Sequence, residues 1–182
     1  MQIIHSNQFL RQPWKNGGGV THEIAKAMKG DDLLWRLSMA DVAADGPFSF
    51  FPGLTRSLTV IEGDGIDLET PDGPLTASPL APVRFSGDTP VTGRLHHGPI
   101  RDLNLIFDAG RITATVTPLT GPLAARKTAK TNGEQHLFCV AGPLTANGHD
   151  LPPLALASDN LLAITLGPGA KALLIHLSPA PP

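Results

Sequence analysis

What this chain lacks narrows its class before any motif is read. It has a single cysteine, Cys139, so no intramolecular disulfide framework supports it, which fits a reducing compartment. That residue sits in the apolar run Leu137-Phe138-Cys139-Val140-Ala141 and reads as a buried structural thiol. Charged residues are only 16% of the 182, the net charge is −2 and no basic stripe is present, which argues against a nucleic-acid partner. Apolar runs such as Leu161-Leu162-Ala163-Ile164 are far too short to span a bilayer. The first residues, Met1-Gln2-Ile3-Ile4-His5, lack a basic n-region and a long apolar h-region, so no secretory signal is expected there. Together these absences predict a soluble cytoplasmic protein with no membrane partner.

Helical periodicity is also scarce. The best short candidate lies at residues 24–28, limited by Gly30. The 19 glycines and 18 prolines are spread along the chain and read as many turns rather than disorder. Between them lie short apolar or alternating runs at 34–40, 57–62, 65–69, 83–85, 101–107, 112–118, 135–141, 160–166 and 172–177. That spacing predicts an all-β sandwich or barrel. A faint repeat supports two similar β units. Thr59-Val60-Ile61-Glu62-Gly63-Asp64-Gly65 and Leu137-Phe138-Cys139-Val140-Ala141-Gly142-Pro143 are both a strand followed by a glycine turn. Within 34–39, alternation puts Trp35, Leu37 and Met39 on one face and Arg36 and Ser38 on the other. If the second face points inward, Arg36 and Ser38 become ligand-binding groups; the sequence does not choose between the faces.

The most specific segment is Pro13-Trp14-Lys15-Asn16-Gly17-Gly18-Gly19. Three glycines in a row are costly and mark a backbone that takes positive φ or approaches something closely. Lys15 and Asn16 beside Gly17 offer an ammonium and an amide, suited to a carboxylate or other small anion. A tight turn with an exposed lysine is the bland alternative.

The strand and turn Leu58-Thr59-Val60-Ile61-Glu62-Gly63-Asp64-Gly65 resemble the cupin signature. With the 13–19 segment, Trp35-Arg36-Leu37-Ser38, Gly46-Pro47-Phe48-Ser49, Phe51-Pro52-Gly53 with Arg56, and Asp102-Leu103-Asn104, the chain resembles the HutD/Ves family. The resemblance implies a bicupin: a first cupin-like unit over 1–108 that holds the ligand pocket, and a second, degenerate unit over 109–182. It also implies a link to bacterial histidine degradation through binding of a pathway metabolite such as N-formylglutamate or urocanate.

Many cupins hold a metal through two histidines and a glutamate before the glycine turn. Here the glutamate's place is taken by Arg56, and the preceding Phe50-Phe51-Pro52-Gly53-Leu54 has no imidazole. A protonated guanidinium has no lone pair to offer a cation. No metal or other cofactor is therefore expected. Of the seven histidines none forms a His-x-His pair; His5 and His149 read as exposed, and His136 and His176 as satisfied histidines beside apolar strands.

Arg56 instead suits a carboxylate, with Lys15 and Arg36 adding charge and Asn16, Ser38 and Asn104 adding neutral hydrogen bonds. Glu23, Glu62 and Asp102 are the protein's own alternatives as partners of Arg56. His96 or His97 is the candidate for proton chemistry, exposure to solvent being the plainer reading. The expected function is thus metal-free binding of a small carboxylate metabolite. An enzyme acting on a similar acid, as hydrolase or isomerase, and a protein-interaction scaffold with a vestigial pocket remain the alternatives. Pairing through an open sheet edge, as in a homodimer, also stays open.

Overall fold

A computed structural model describes residues 1–15, 17–130 and 132–181. The alternating runs become strands almost throughout. Residues 34–40 lie within Asp32–Val42, 57–62 within Thr55–Glu62, 101–107 within Ile100–Phe107, 135–141 within Glu134–Ala141 and 172–177 within Lys171–Pro179. Among the described residues the one helical element is a single 3-10 turn, Ser6–Gln8, and no helix is long and apolar enough to cross a membrane.

The helix expected at 24–28 is instead part of an eleven-residue strand, Gly19–Lys29. Its pairing with Asp32–Val42 shifts register between Glu23 and Ala25 and again between Ala27 and Met28. These bulges break strict alternation. Ile24 is buried and Met28 exposed, so the apolar pair whose spacing suggested a helix does not share a buried face.

Residues 10–109 form one unit of two antiparallel sheets. The larger orders its strands Leu10–Pro13, Gly19–Lys29, Asp32–Val42, Ile100–Phe107, Thr55–Glu62 and Val83–Ser86. The smaller runs Gly46–Pro47, Thr92–Leu95, Ile66–Thr70 and Gly73–Ala77. Ala40, Leu58 and Val60 from the first sheet meet Ile66, Leu68 and Ala77 from the second in one apolar cluster. Full burial of a leucine, isoleucine or valine side chain such as these contributes about 1.5–3 kcal/mol. The sheets remain separate ladders, so the unit is an open cupin-like double sheet rather than a closed barrel.

Residues 1–9 and 110–182 form the other unit. Its larger sheet runs Ile112–Thr120, Lys171–Pro179, Glu134–Ala141 and Leu156–Asp159, with Gln2–Ile4 at the edge. Its smaller sheet runs Leu123–Lys127, Ala163–Leu166, Leu144–Ala146 and His149–Asp150. Cys139 is fully buried among Leu137, Leu144 and Ala172, and burial pushes its thiol up to about 11, as a structural thiol requires.

Four successive strands of each larger sheet follow the same order, so those ladders can be aligned position by position. Arg56, second on Thr55–Glu62, pairs with Ile106; Gln135, second on Glu134–Ala141, pairs with His176. In turn Ile106 pairs with Arg36, and His176 with Thr115. Arg56 and Gln135 therefore occupy corresponding places.

Candidate functional site

A cavity of about 500 Å³ opens on one face of the six-stranded sheet, and strand alternation sets its chemistry. On Asp32–Val42 every second residue, Arg36, Ser38 and Ala40, lines it. Trp35, Leu37 and Met39 are buried on the opposite face, so both faces are covered and the polar one carries the cavity. The next two strands add Asn104 and Ile106, then Arg56.

The glycine-rich segment builds the rim. Trp14 N–H donates to the Gly19 carbonyl at 2.9 Å, and Gly17 N–H to the Trp14 carbonyl at 3.1 Å. Gly17 takes a φ of +73°, the left-handed region that glycine adopts freely. Gly19 is required for close approach: a Cβ there would sit 2.5 Å from the Asp41 carbonyl oxygen and 2.9 Å from the Trp14 ring. Trp14 is fixed further by its indole N–H, which donates to Thr21 Oγ1 at 2.8 Å, and by an edge-on contact with Phe48. This turn carries Lys15 to the cavity wall, where it is exposed and makes no ion pair among the described residues. Asn16 lies outside the described residues, and Gly17 shapes the turn without lining the cavity.

Arg56 is the centre of the site. It is 5% exposed, and its guanidinium carbon lies 5.3, 5.3 and 5.0 Å from the ring centroids of Phe48, Phe51 and Phe85. At these distances the ring faces attract the cation while keeping water away. One terminal nitrogen donates to the Ser49 carbonyl at 3.2 Å and the other to Asn104 Oδ1 at 2.9 Å. Nε is buried without a partner. Burial pulls Arg56 down to about 10, against the charge of Asp102, so it stays protonated at neutral pH.

Of the three acidic alternatives, none forms an ion pair with Arg56 among the described residues. Glu23 holds Arg36 at 3.1 Å and Lys26 at 2.9 Å, and Glu62 holds Arg101 at 3.0 Å. Asp102 reaches Arg56 only through Asn104, whose Nδ2 donates to Asp102 Oδ1. Burial pushes the fully enclosed Asp102 carboxyl up to about 7, against the pull of Arg56 and the Asn104 bond. Near neutral pH Asp102 therefore carries only part of a negative charge, and Arg56 is left under-compensated.

Lys15, Arg36, Ser38, Arg56 and Asn104 thus meet around one cavity, with no carboxylate, imidazole or thiol among its described lining residues. His96 is elsewhere: it lies 3.1 Å from Asp67, whose bond holds the imidazole above its usual range. His97, like His5 and His149, is exposed. His136 Nδ1 lies 2.7 Å from Ser158 Oγ, but His176 Nε2 is buried without a partner. Among the described residues no three His, Cys, Asp or Glu side chains cluster as metal ligands.

The aromatic cage escaped sequence reasoning as a functional element. Phe48 and Phe51 lie on the loop after Gly46–Pro47, and Phe85 lies on a separate strand. The crowding of phenylalanines at 48, 50 and 51, just before the arginine, was the available signal.

With this geometry in view, the chain matches the HutD family over residues 6–175. It is 42% identical over 119 residues to an uncharacterised 21.2 kDa protein in the hutC 3′ region of Pseudomonas putida, covering 63% of this chain and 62% of that protein. It is 38% identical over 106 residues to Protein Ves of Escherichia fergusonii, covering 57% and 56% respectively. The chain thus spans less than two thirds of the length of the curated relatives it matches. The structure of HutD from Pseudomonas fluorescens SBW25 is similar with a TM-score of 0.85, 32% identity and 99% of both chains covered.

Proposed function

The chain belongs to the HutD family, and on that premise we propose that it binds a small carboxylate metabolite around Arg56 and serves in the regulation of histidine degradation. The observation that carries this reading is Arg56 itself: buried, caged by three phenylalanines, charged, and out of ion-pair contact with any described carboxylate. A buried cation without a partner is unfavourable, and a bound carboxylate supplies one. The guanidinium fork suits that group in a bidentate arrangement. Arg36 and Lys15 add positive potential, Ser38 and Asn104 add neutral hydrogen bonds, and Trp14, Phe48 and Phe51 suit an apolar ligand body.

N-formylglutamate and urocanate are the candidates within the proposed pathway. The naming of the P. putida relative for its place beside hutC supports the direction. The lining favours binding over turnover, because its described residues include no carboxylate, imidazole or thiol to carry a proton.

A thermal-shift screen with urocanate, N-formylglutamate, glutamate, histidine and formate tests the reading, since a ligand selective for the folded state raises the melting temperature by mass action. The expected result is stabilisation by at least one acid, unchanged by added divalent metal, with the acid recovered intact afterwards. Stabilisation by none of them, or only with metal present, would overturn it.

A further inference from the structure

The unit formed by residues 1–9 and 110–182 has a cavity of its own, of about 250 Å³. Gln135 and His176 stand side by side in it as register partners on adjacent strands. Gln135 is 3% exposed, and its amide nitrogen donates to the Ala129 carbonyl at 2.6 Å and the Asn160 carbonyl at 3.4 Å. Both partners are acceptors, so the amide cannot be reversed. Its oxygen is therefore committed to the other side, where it is buried with no hydrogen-bond partner. His176 Nε2 is also buried and unpartnered. Two orphaned polar atoms at one place are uncommon in a native fold and call for a partner from outside it.

The remaining wall says what that partner carries. Leu119, Leu123, Ile164 and Leu174 make the sides apolar. The Thr128 oxygen accepts the Leu162 N–H at 2.9 Å, which leaves its own O–H to donate. Arg126 lines the cavity from an exposed position, and among the described residues it makes no ion pair. No carboxylate is among the described lining residues. An acceptor and an imidazole on neighbouring strands, with a guanidinium in the same lining, suit a ligand with a hydrogen-bond donor and a carboxylate.

We propose that this second cavity binds a short carboxylic acid with an N–H or O–H donor at its far end. The donor meets the Gln135 oxygen, His176 takes the adjacent polar atom, and the carboxylate meets Arg126. This site does not rest on the reading of Arg56 and stands or falls separately.

Succinamate and its monomethyl succinate counterpart, similar in size but without the N–H donors, are the probes. Their binding is followed by NMR through the Gln135 side-chain amide and the His176 ring, which report on this cavity alone. Succinamate is expected to shift both sets of signals. Monomethyl succinate is expected to bind roughly tenfold more weakly, since it leaves the Gln135 oxygen unsatisfied. Arg126→Gln, a surface change that preserves the fold, is expected to weaken succinamate roughly threefold. The proposal is overturned if these signals stay still, if the two probes bind alike, or if Arg126→Gln leaves the affinity unchanged.

Discussion

Two corresponding positions carry opposite chemistry. Arg56 and Gln135 are each the second residue of the equivalent strand within four strands that follow the same order in both larger sheets, and each lines its unit's cavity. Around Arg56 stand three phenylalanine rings, an accepting carbonyl and an accepting amide. Around Gln135 stand two carbonyls that fix its amide nitrogen, and a neighbouring histidine. Strand order determines which residues face a cavity; the loops, which supply Phe48 and Phe51 in one unit only, determine whether a buried charge is tolerated there. The first cavity thus has its cation buried deep inside. In the second the only described cation stands at the exposed Arg126.

Moving the charge is the largest way to break this comparison. Gln135→Arg puts a cation where there is no aromatic cage and turns donors toward the space the amide oxygen filled. A buried charge without a partner costs about 3–5 kcal/mol, so urea denaturation should show a loss of that order. Stability within about 1 kcal/mol of the parent would mean that the cage is not what admits Arg56.

The second effect concerns the carboxyl that neutralises Arg56 only in part. Asp102 holds its proton more tightly in the folded chain than in the unfolded one. Its contribution is therefore whole below the unfolded value of 3.8 and is lost as pH rises toward about 7. Asp102→Asn keeps an acceptor for Asn104 Nδ2 and has no charge to lose. Between pH 4 and pH 7 its stability should fall less steeply than the parent's, leaving it of the order of 2 kcal/mol more stable above that range. Parallel stability curves for the two proteins would place the titration elsewhere.

The smallest effect lies at the rim. Lys15 is exposed, so Lys15→Gln should weaken acid binding only about twofold to threefold, and the difference should shrink as salt is added. A loss as large as that from a buried arginine would move the centre of the site to the glycine-rich turn.

The sequence revealed the strands that follow simple rules and concealed those that do not. Thr55–Glu62 and Ile100–Phe107 were legible as short apolar runs that are buried almost throughout; Gly19–Lys29 was read in part as a helix because two bulges destroy its period of two. Arg36 and Ser38 were legible from alternation, Lys15 from its place beside the glycines, and Arg56 and Asn104 from the family resemblance; the structure places all five around one cavity. The face on which Arg36 and Ser38 lie was not legible, since both faces of that strand are covered. Phe85 closes the cage from far along the chain, a contact that no local pattern encodes. His176 was read as a satisfied histidine because neighbouring residues in sequence say nothing of the Gln135 oxygen left unpaired across the ladder.

The account rests most heavily on Arg56 as the group that holds a carboxylate, and calorimetric titration of the most stabilising acid into the parent and Arg56→Gln tests it directly. Glutamine brings to the first unit the residue that the second already has. The account predicts that affinity drops by roughly tenfold or more, the weight of a charge-assisted hydrogen-bonded pair, while both proteins remain folded by circular dichroism. Equal affinity in the two proteins would contradict it.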